Sequence, residues 1–166
     1  MSSTATEIAA LVVPFVSSVR TVFSTMVGID ISVRQPHLKS DPVPTYDISG
    51  IIGFSGGISG SVVLNFPVAA AQGIVQAFTG SPVSVDSPDF ADAIGELANM
   101  VAGAAKTELG QNSTISTPTV VRGSGHSIAR LTDVPCIVIP CRTEMGEFVI
   151  EVNIKCANGA PKQGGN

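Results

Sequence analysis

Between Asp92 and Lys106 the chain places an acid, an acid, an amide, a bare backbone and a cation at helical spacing. At 100° per residue, Asp92, Glu96, Asn99, Gly103 and Lys106 fall within an arc of about 80°. Phe90, Ala93, Ile94, Leu97, Ala98, Val101, Ala104 and Ala105 share the opposite, apolar side. Carboxylates accept hydrogen bonds, an ammonium donates them, and a carboxamide does both without changing its protonation state. The row is therefore equipped to hold another molecule's polar groups. A merely solvated helix face presents the same residue types, and Asp92 would also complement the helix N-terminus. Six Glu and six Asn in 166 residues give about 0.2 Glu-x-x-Asn pairs by chance, so the Glu96–Asn99 pair alone does not decide between the two readings.

Other chemistries find less support. His37 and His126 are isolated, and neither a Ser–His–acid arrangement nor a nucleophile elbow is present. The Gly-rich run Gly53–Gly60 lacks the lysine of a phosphate cradle and joins two strand-like segments, which predicts a hairpin turn. Cys136 and Cys141 have no second ligand pair, so a metal site is not expected, and the three cysteines read as buried, reduced thiols of a cytoplasmic protein. Asn112-Ser-Thr is then a glycosylation sequon in form only. With 13% charged residues, a net charge of −4 and a pI near 5.0, the chain offers no basic face for nucleic acid or an anionic membrane. The apolar stretch Ile8–Val19 is broken by Pro14, Ser17 and Ser18 and followed by Arg20, so neither a membrane span nor a secretory signal is expected.

The elements that would position the polar row follow from periodicity. Thr4 and Glu7 have the spacing of a capping box ahead of an amphipathic helix, its stripe running Ile8, Leu11, Val12, Phe15, Val19, Val22, Phe23 and Met26. Pro14 predicts a local kink and Gly28 the end of that helix. Strands are predicted over 29–34, 46–55 and 58–66, with a polar loop from Pro36 to Pro44. Helices are predicted over 67–78 and 87–109, the second capped by Ser87 with Pro88 in the first turn and closed by Gly110. Glu108 falls on the apolar side, which suggests fraying there. Strands near 116–122, 134–141 and 147–155 complete the chain. In the last, Phe148, Ile150, Val152 and Ile154 alternate with Glu147, Glu151, Asn153 and Lys155, the pattern of a half-solvated antiparallel strand. The expectation is one α+β domain over residues 1–157, a mostly antiparallel sheet of about six strands with long helices on one face, in the order α-β-β-β-α-α-β-β-β. A flexible tail is expected over 158–166.

Asp92-Ala-Ile-Gly-Glu96-Leu-Ala-Asn99-Met-Val-Ala-Gly103 resembles the active-site helix of the CheC/CheX/FliY phosphatases of bacterial chemotaxis. That pattern is Asp or Ser, three residues, Glu, two residues, Asn, then a Pro some twenty residues on. Pro118 is the candidate for the last element, a few residues early. Pro14-Phe-Val and Val22-Phe-Ser-Thr-Met26-Val-Gly28 resemble the first helix of CheX, and the order of elements agrees from about Glu7 to Lys155. CheC carries a second Glu–Asn pair in its other half. Here Glu7 is followed at that spacing by Ala10, so a single site fits CheX better.

The resemblance implies hydrolysis of the aspartyl phosphate on a CheY-like receiver domain. Asn99 would orient the attacking water, much as a Gln does in GTPases. Glu96 would pair with the receiver's active-site lysine. Asp92, Gly103 and Lys106 would contact the partner around them. It implies no cofactor beyond the Mg2+ that the receiver supplies, and a homodimer. Two other functions compete: a non-catalytic adaptor that binds a receiver through the same helix face, and a scaffold whose polar face is only solvated.

Overall fold

The structure, a computed structural model, describes residues 2–41, 44 and 46–157, with side chains from residue 5 onward. The tail expected over 158–166 and the Thr4 side chain lie outside the described residues. Helix α1 (Ser2–Val22) starts ahead of Thr4, so Thr4 is inside the helix rather than its cap. It passes through Pro14 and continues into a π-helical turn (Phe23–Val27). The Ser18 hydroxyl donates to the Pro14 carbonyl at 2.6 Å. Gly28, at φ 79°, ends the helix with its N–H on the Phe23 carbonyl. By length and composition residues 5–27 would suffice to cross a membrane. The buried stripe Phe15, Val19 and Phe23 belongs to the core of this domain.

Strands β1 (Ser32–Val33), β2 (His37–Leu38), β3 (Ile48–Gly56) and β4 (Ile58–Phe66) precede helices α2 (Val68–Thr79) and α3 (Pro88–Leu109). Strands β5 (Ser113–Ile115), β6 (Thr119–Arg122), β7 (Ile137–Thr143) and β8 (Gly146–Cys156) come after them. All pair antiparallel in one sheet, in the order β1-β7-β8-β4-β3-β5, with β2 also on β7 and β6 also on β3. The α+β class and the helices on one face are as expected; among the described residues the sheet has eight strands, against about six expected. The strand predicted over 29–34 contracts to two residues, and the Pro36–Pro44 loop supplies β2. That strand borders Pro36, a residue that sheets accept at strand starts and edges because it cannot donate to a ladder. The Gly-rich run is the β3–β4 hairpin, with Gly56 at φ 97° in the turn.

On the helix-facing side of the sheet, Ile48, Ile52, Val62, Leu64, Ile150 and Val152 pack against Phe15, Ile74, Phe90 and Leu97, all essentially inaccessible. Phe148 stacks between Phe23 and Phe66, with ring centroids 5.2 and 4.8 Å away. Such pairs add about 0.5–1.5 kcal/mol beyond the area they bury. Gly50 lies directly beneath α3. A Cβ there would meet the Ala98 Cβ at 3.1 Å and Ile94 Cγ2 at 3.2 Å, so the helix lies flush on β3.

The other face of the sheet corrects one expectation. Glu147 and Lys155 are exposed, but Glu151 is 1% exposed and Asn153 2%, because the segment between β6 and β7 crosses over them. The Asn153 amide donates to the Leu131 and Val134 carbonyls at 3.2 Å, and its oxygen accepts from Leu131 N at 2.7 Å. Glu151 pairs with Lys39 at 3.0 Å and with Arg130. Alternation reports which face a residue takes, not whether a distant loop covers that face. None of the three cysteines is placed in a disulfide. Only Cys141 is buried, which pushes its pKa to about 12, while Cys136 and Cys156 are partly exposed.

Glu151→Ala would take a buried ionic partner from both Lys39 and Arg130 and is expected to cost about 3–5 kcal/mol. Urea unfolding measures it, with exposed Glu147→Ala as the control expected within about 0.5 kcal/mol of the parent.

Candidate functional site

Helix α3 carries the polar row, and both of its ends are fixed. The Ser87 hydroxyl accepts from Asp89 N at 3.2 Å, and Pro88 opens the first turn. The Arg122 guanidinium, from β6, donates to the carbonyls of Val85 and Ser87 just ahead of the helix. Gly110, at φ 64°, closes the far end. The fraying expected at Glu108 does not occur: the helix runs to Leu109, and the Glu108 carboxylate accepts from Ser17 Oγ of α1 at 2.7 Å. A carboxylate that looked misplaced on a helical wheel thus ties α3 to its neighbour.

Ile94, Leu97, Ala98, Val101 and Ala105 are fully buried, as predicted. Ala104, predicted with them, is only partly covered, and Ala102 is buried in addition. The five predicted site residues all emerge along one side. Asp92 and Glu96 are exposed, and Asn99, Gly103 and Lys106 partly so. Among the described residues, the side chains of Asp92, Glu96, Asn99 and Lys106 have no hydrogen-bond or ion-pair partner within the chain. Such unengaged groups keep their donors and acceptors for another molecule, on a helix backbone that the fold holds at both ends.

An open groove of about 450 Å³ runs along this side, lined by Ala91, Asp92, Gly95, Glu96, Pro118 and Val120. Its carboxylates come from α3 and its apolar wall from the β5–β6 edge. Pro118, which the sequence pattern put forward, therefore stands beside Glu96. The contact that brings it there was not read from the sequence: a Cβ on Gly95 would meet Pro118 Cγ at 3.1 Å, so the proline ring rests on bare backbone. A glycine inside a helix costs about 1 kcal/mol relative to alanine, and that was the available signal of a close approach. Further along, Gly103 faces Ile115, 4.0 Å from where a Cβ would stand. Asn99 lies midway between these two contacts along the helix. Among the described residues, no group of three or more His, Cys, Asp or Glu side chains is placed to hold a metal ion.

Residues 48–142 match the family model for chemotaxis phosphatase CheX. The chain is 34% identical over 119 residues to the CheY-P phosphatase CheX of Thermotoga maritima, covering 69% of this chain and 77% of that one. The crystal structure of a chemotaxis protein CheX from Desulfovibrio desulfuricans has a TM-score of 0.78 at 35% identity, covering 88% of this chain and 98% of that one. CheX in the CheX–CheY–BeF3–Mg2+ complex of Borrelia burgdorferi shares the fold, with a TM-score of 0.71 at 19% identity over 87% of this chain and 97% of that one.

Since these two side chains have no bonding partner among the described residues, Glu96→Ala and Asn99→Ala are each expected to change stability by no more than about 0.5 kcal/mol. Urea unfolding of the two variants against the parent measures this. A larger loss would make the pair part of the scaffold.

Proposed function

Because this chain belongs to the CheX family of chemotaxis phosphatases, we propose that it hydrolyses the aspartyl phosphate of a CheY-like receiver domain through Glu96 and Asn99. The observation that carries the reading is the pair itself: a carboxylate and a carboxamide one helical turn apart, exposed and partly exposed, with no bonding partner among the described residues.

The reaction needs a water in line with the bond between phosphorus and the receiver's carboxylate oxygen. The water oxygen attacks phosphorus, that bond breaks, the receiver's carboxylate leaves with the bonding electrons, and inorganic phosphate is released. Asn99 holds the water: its Oδ1 accepts one proton's hydrogen bond while its Nδ2 donates to a neighbouring oxygen, which fixes direction without proton exchange. Glu96 sits in solvent, one helical turn from Asn99. Its part is to receive the receiver's lysine as a charge-assisted contact that sets the docked register. Asp92 and Lys106 flank the pair and meet the rim of the partner, and Gly103 leaves room for its approach. The Mg2+ comes with the receiver as part of the substrate, and the chain needs no metal of its own. A cytoplasmic homodimer is the proposed working form, to be read by light scattering.

Phosphate release from a phosphorylated receiver domain tests the proposal. The parent chain is expected to accelerate it. Asn99→Ala should lose on the order of 10²-fold or more in turnover at saturating receiver, because a misdirected water forfeits the oriented attack. Glu96→Ala should lose both affinity and rate. Binding without acceleration would make the chain an adaptor, and unchanged release by Asn99→Ala would remove the catalytic assignment.

A further inference from the structure

The wall opposite Glu96 is built by a break in an edge strand. Strands β5 and β6 both pair with β3, and their registers do not match. Phe54 faces Ile115 and Ile51 faces Thr119, so Ile52 and Gly53 on β3 oppose Ser116, Thr117 and Pro118. One extra residue on the edge side makes this a β-bulge, a device that bends a strand and redirects its side chains.

The bulge is tied down by a single hydroxyl. Ser116 N donates to the Gly53 carbonyl at 2.9 Å, as in a regular ladder. The returning bond is supplied by the side chain: Gly53 N donates to Ser116 Oγ at 2.9 Å, and that hydroxyl donates to the Thr117 carbonyl at 2.8 Å. Ser116 thus fills the gap in the ladder and fixes the turn into Pro118. The proline ring in turn is seated on Gly95, with 3.1 Å between its Cγ and the place of a Cβ. Both contacts are close, one on the sheet and one on the helix, and between them they set how far Pro118 and Val120 stand from Asp92 and Glu96.

We propose that Ser116 and Gly95 are positioning residues that fix the width of the groove between α3 and β6, and through it the affinity for the receiver. The groove has two carboxylates on one wall and apolar Pro118 and Val120 on the other. That lining suits a basic side chain, its ammonium on the acids and its methylenes along the proline. A wall moved by a few tenths of an ångström spoils the fit of the stem and the aim of the charge, while the water at Asn99, further along the helix, is untouched. The proposal rests on the receiver-phosphatase reading, and its signature is the reverse of the one expected for Asn99→Ala.

The test compares Ser116→Ala, Gly95→Ala and Ser116→Thr with the parent chain in steady-state phosphate release, alongside exchange of the Gly53 amide. Ser116→Ala and Gly95→Ala should raise KM about five- to tenfold, the size of one mis-set charge-assisted contact, with kcat within about twofold of the parent. Ser116→Thr keeps the hydroxyl and should restore KM. Gly53 amide exchange should accelerate in Ser116→Ala and return to the parent rate in Ser116→Thr. An unchanged KM, a loss confined to kcat, or failure of threonine to rescue overturns the proposal. If the parent chain shows no turnover, the phosphatase reading has failed separately, and Kd for a beryllofluoride-loaded receiver is measured on the same variants. The same five- to tenfold weakening with threonine rescue then upholds the groove, and its absence overturns it.

Discussion

Helix α3 shows four unengaged polar side chains to solvent on one side because its other side is pressed against β3 with no room for a side chain at residue 50. The Ala98 and Ile94 carbons lie where a Gly50 Cβ would need its space. Burying Ile94, Leu97 and Val101 completely supplies roughly 1.5–3 kcal/mol each. That gain holds the helix in place without any contribution from Asp92, Glu96, Asn99 or Lys106. These four residues are thus relieved of structural duty, and their geometry is inherited from a scaffold that does not depend on them.

The scaffold is stiffened from the side away from the helices as well. Glu151, between Lys39 and Arg130, and Asn153, bonded to the Leu131 and Val134 backbone, hold a long connection across the sheet. Asn65 and Ser49 continue this polar layer: the Asn65 amide donates to Ser49 Oγ at 2.9 Å, and that oxygen lies 2.9 Å from His126 Nε2. The sheet is thus covered on both faces, by apolar helix contacts on one and by this polar layer on the other.

Much of this was legible in the chain. The apolar stripe of α3, its Ser87 cap, its Gly110 stop and the side on which Glu96 and Asn99 emerge all follow from residue spacing, because a helix buried on one side is a local pattern. The β3–β4 hairpin was legible from its Gly-rich run, again a local pattern. What escaped depends on contacts between residues far apart in sequence. Glu151 and Asn153 read as solvated until a connection some twenty residues upstream covered them. Glu108 read as misplaced until α1 supplied Ser17. Residues 116–122 read as one strand, since nothing local announces that β3 opposes them with one residue fewer. Gly95 gave a signal, a helix-weakening residue beside the polar row, but its meaning lay in Pro118.

The central claim is that a receiver's active site lands on the polar row of α3 with Asn99 at the water. A crystal structure of the chain bound to a beryllofluoride-loaded receiver measures this directly. The account predicts the Asn99 carboxamide at about 3 Å from the in-line water position and the Glu96 carboxylate on the receiver's lysine. A complex in which the receiver docks elsewhere, leaving both side chains in solvent, would contradict it.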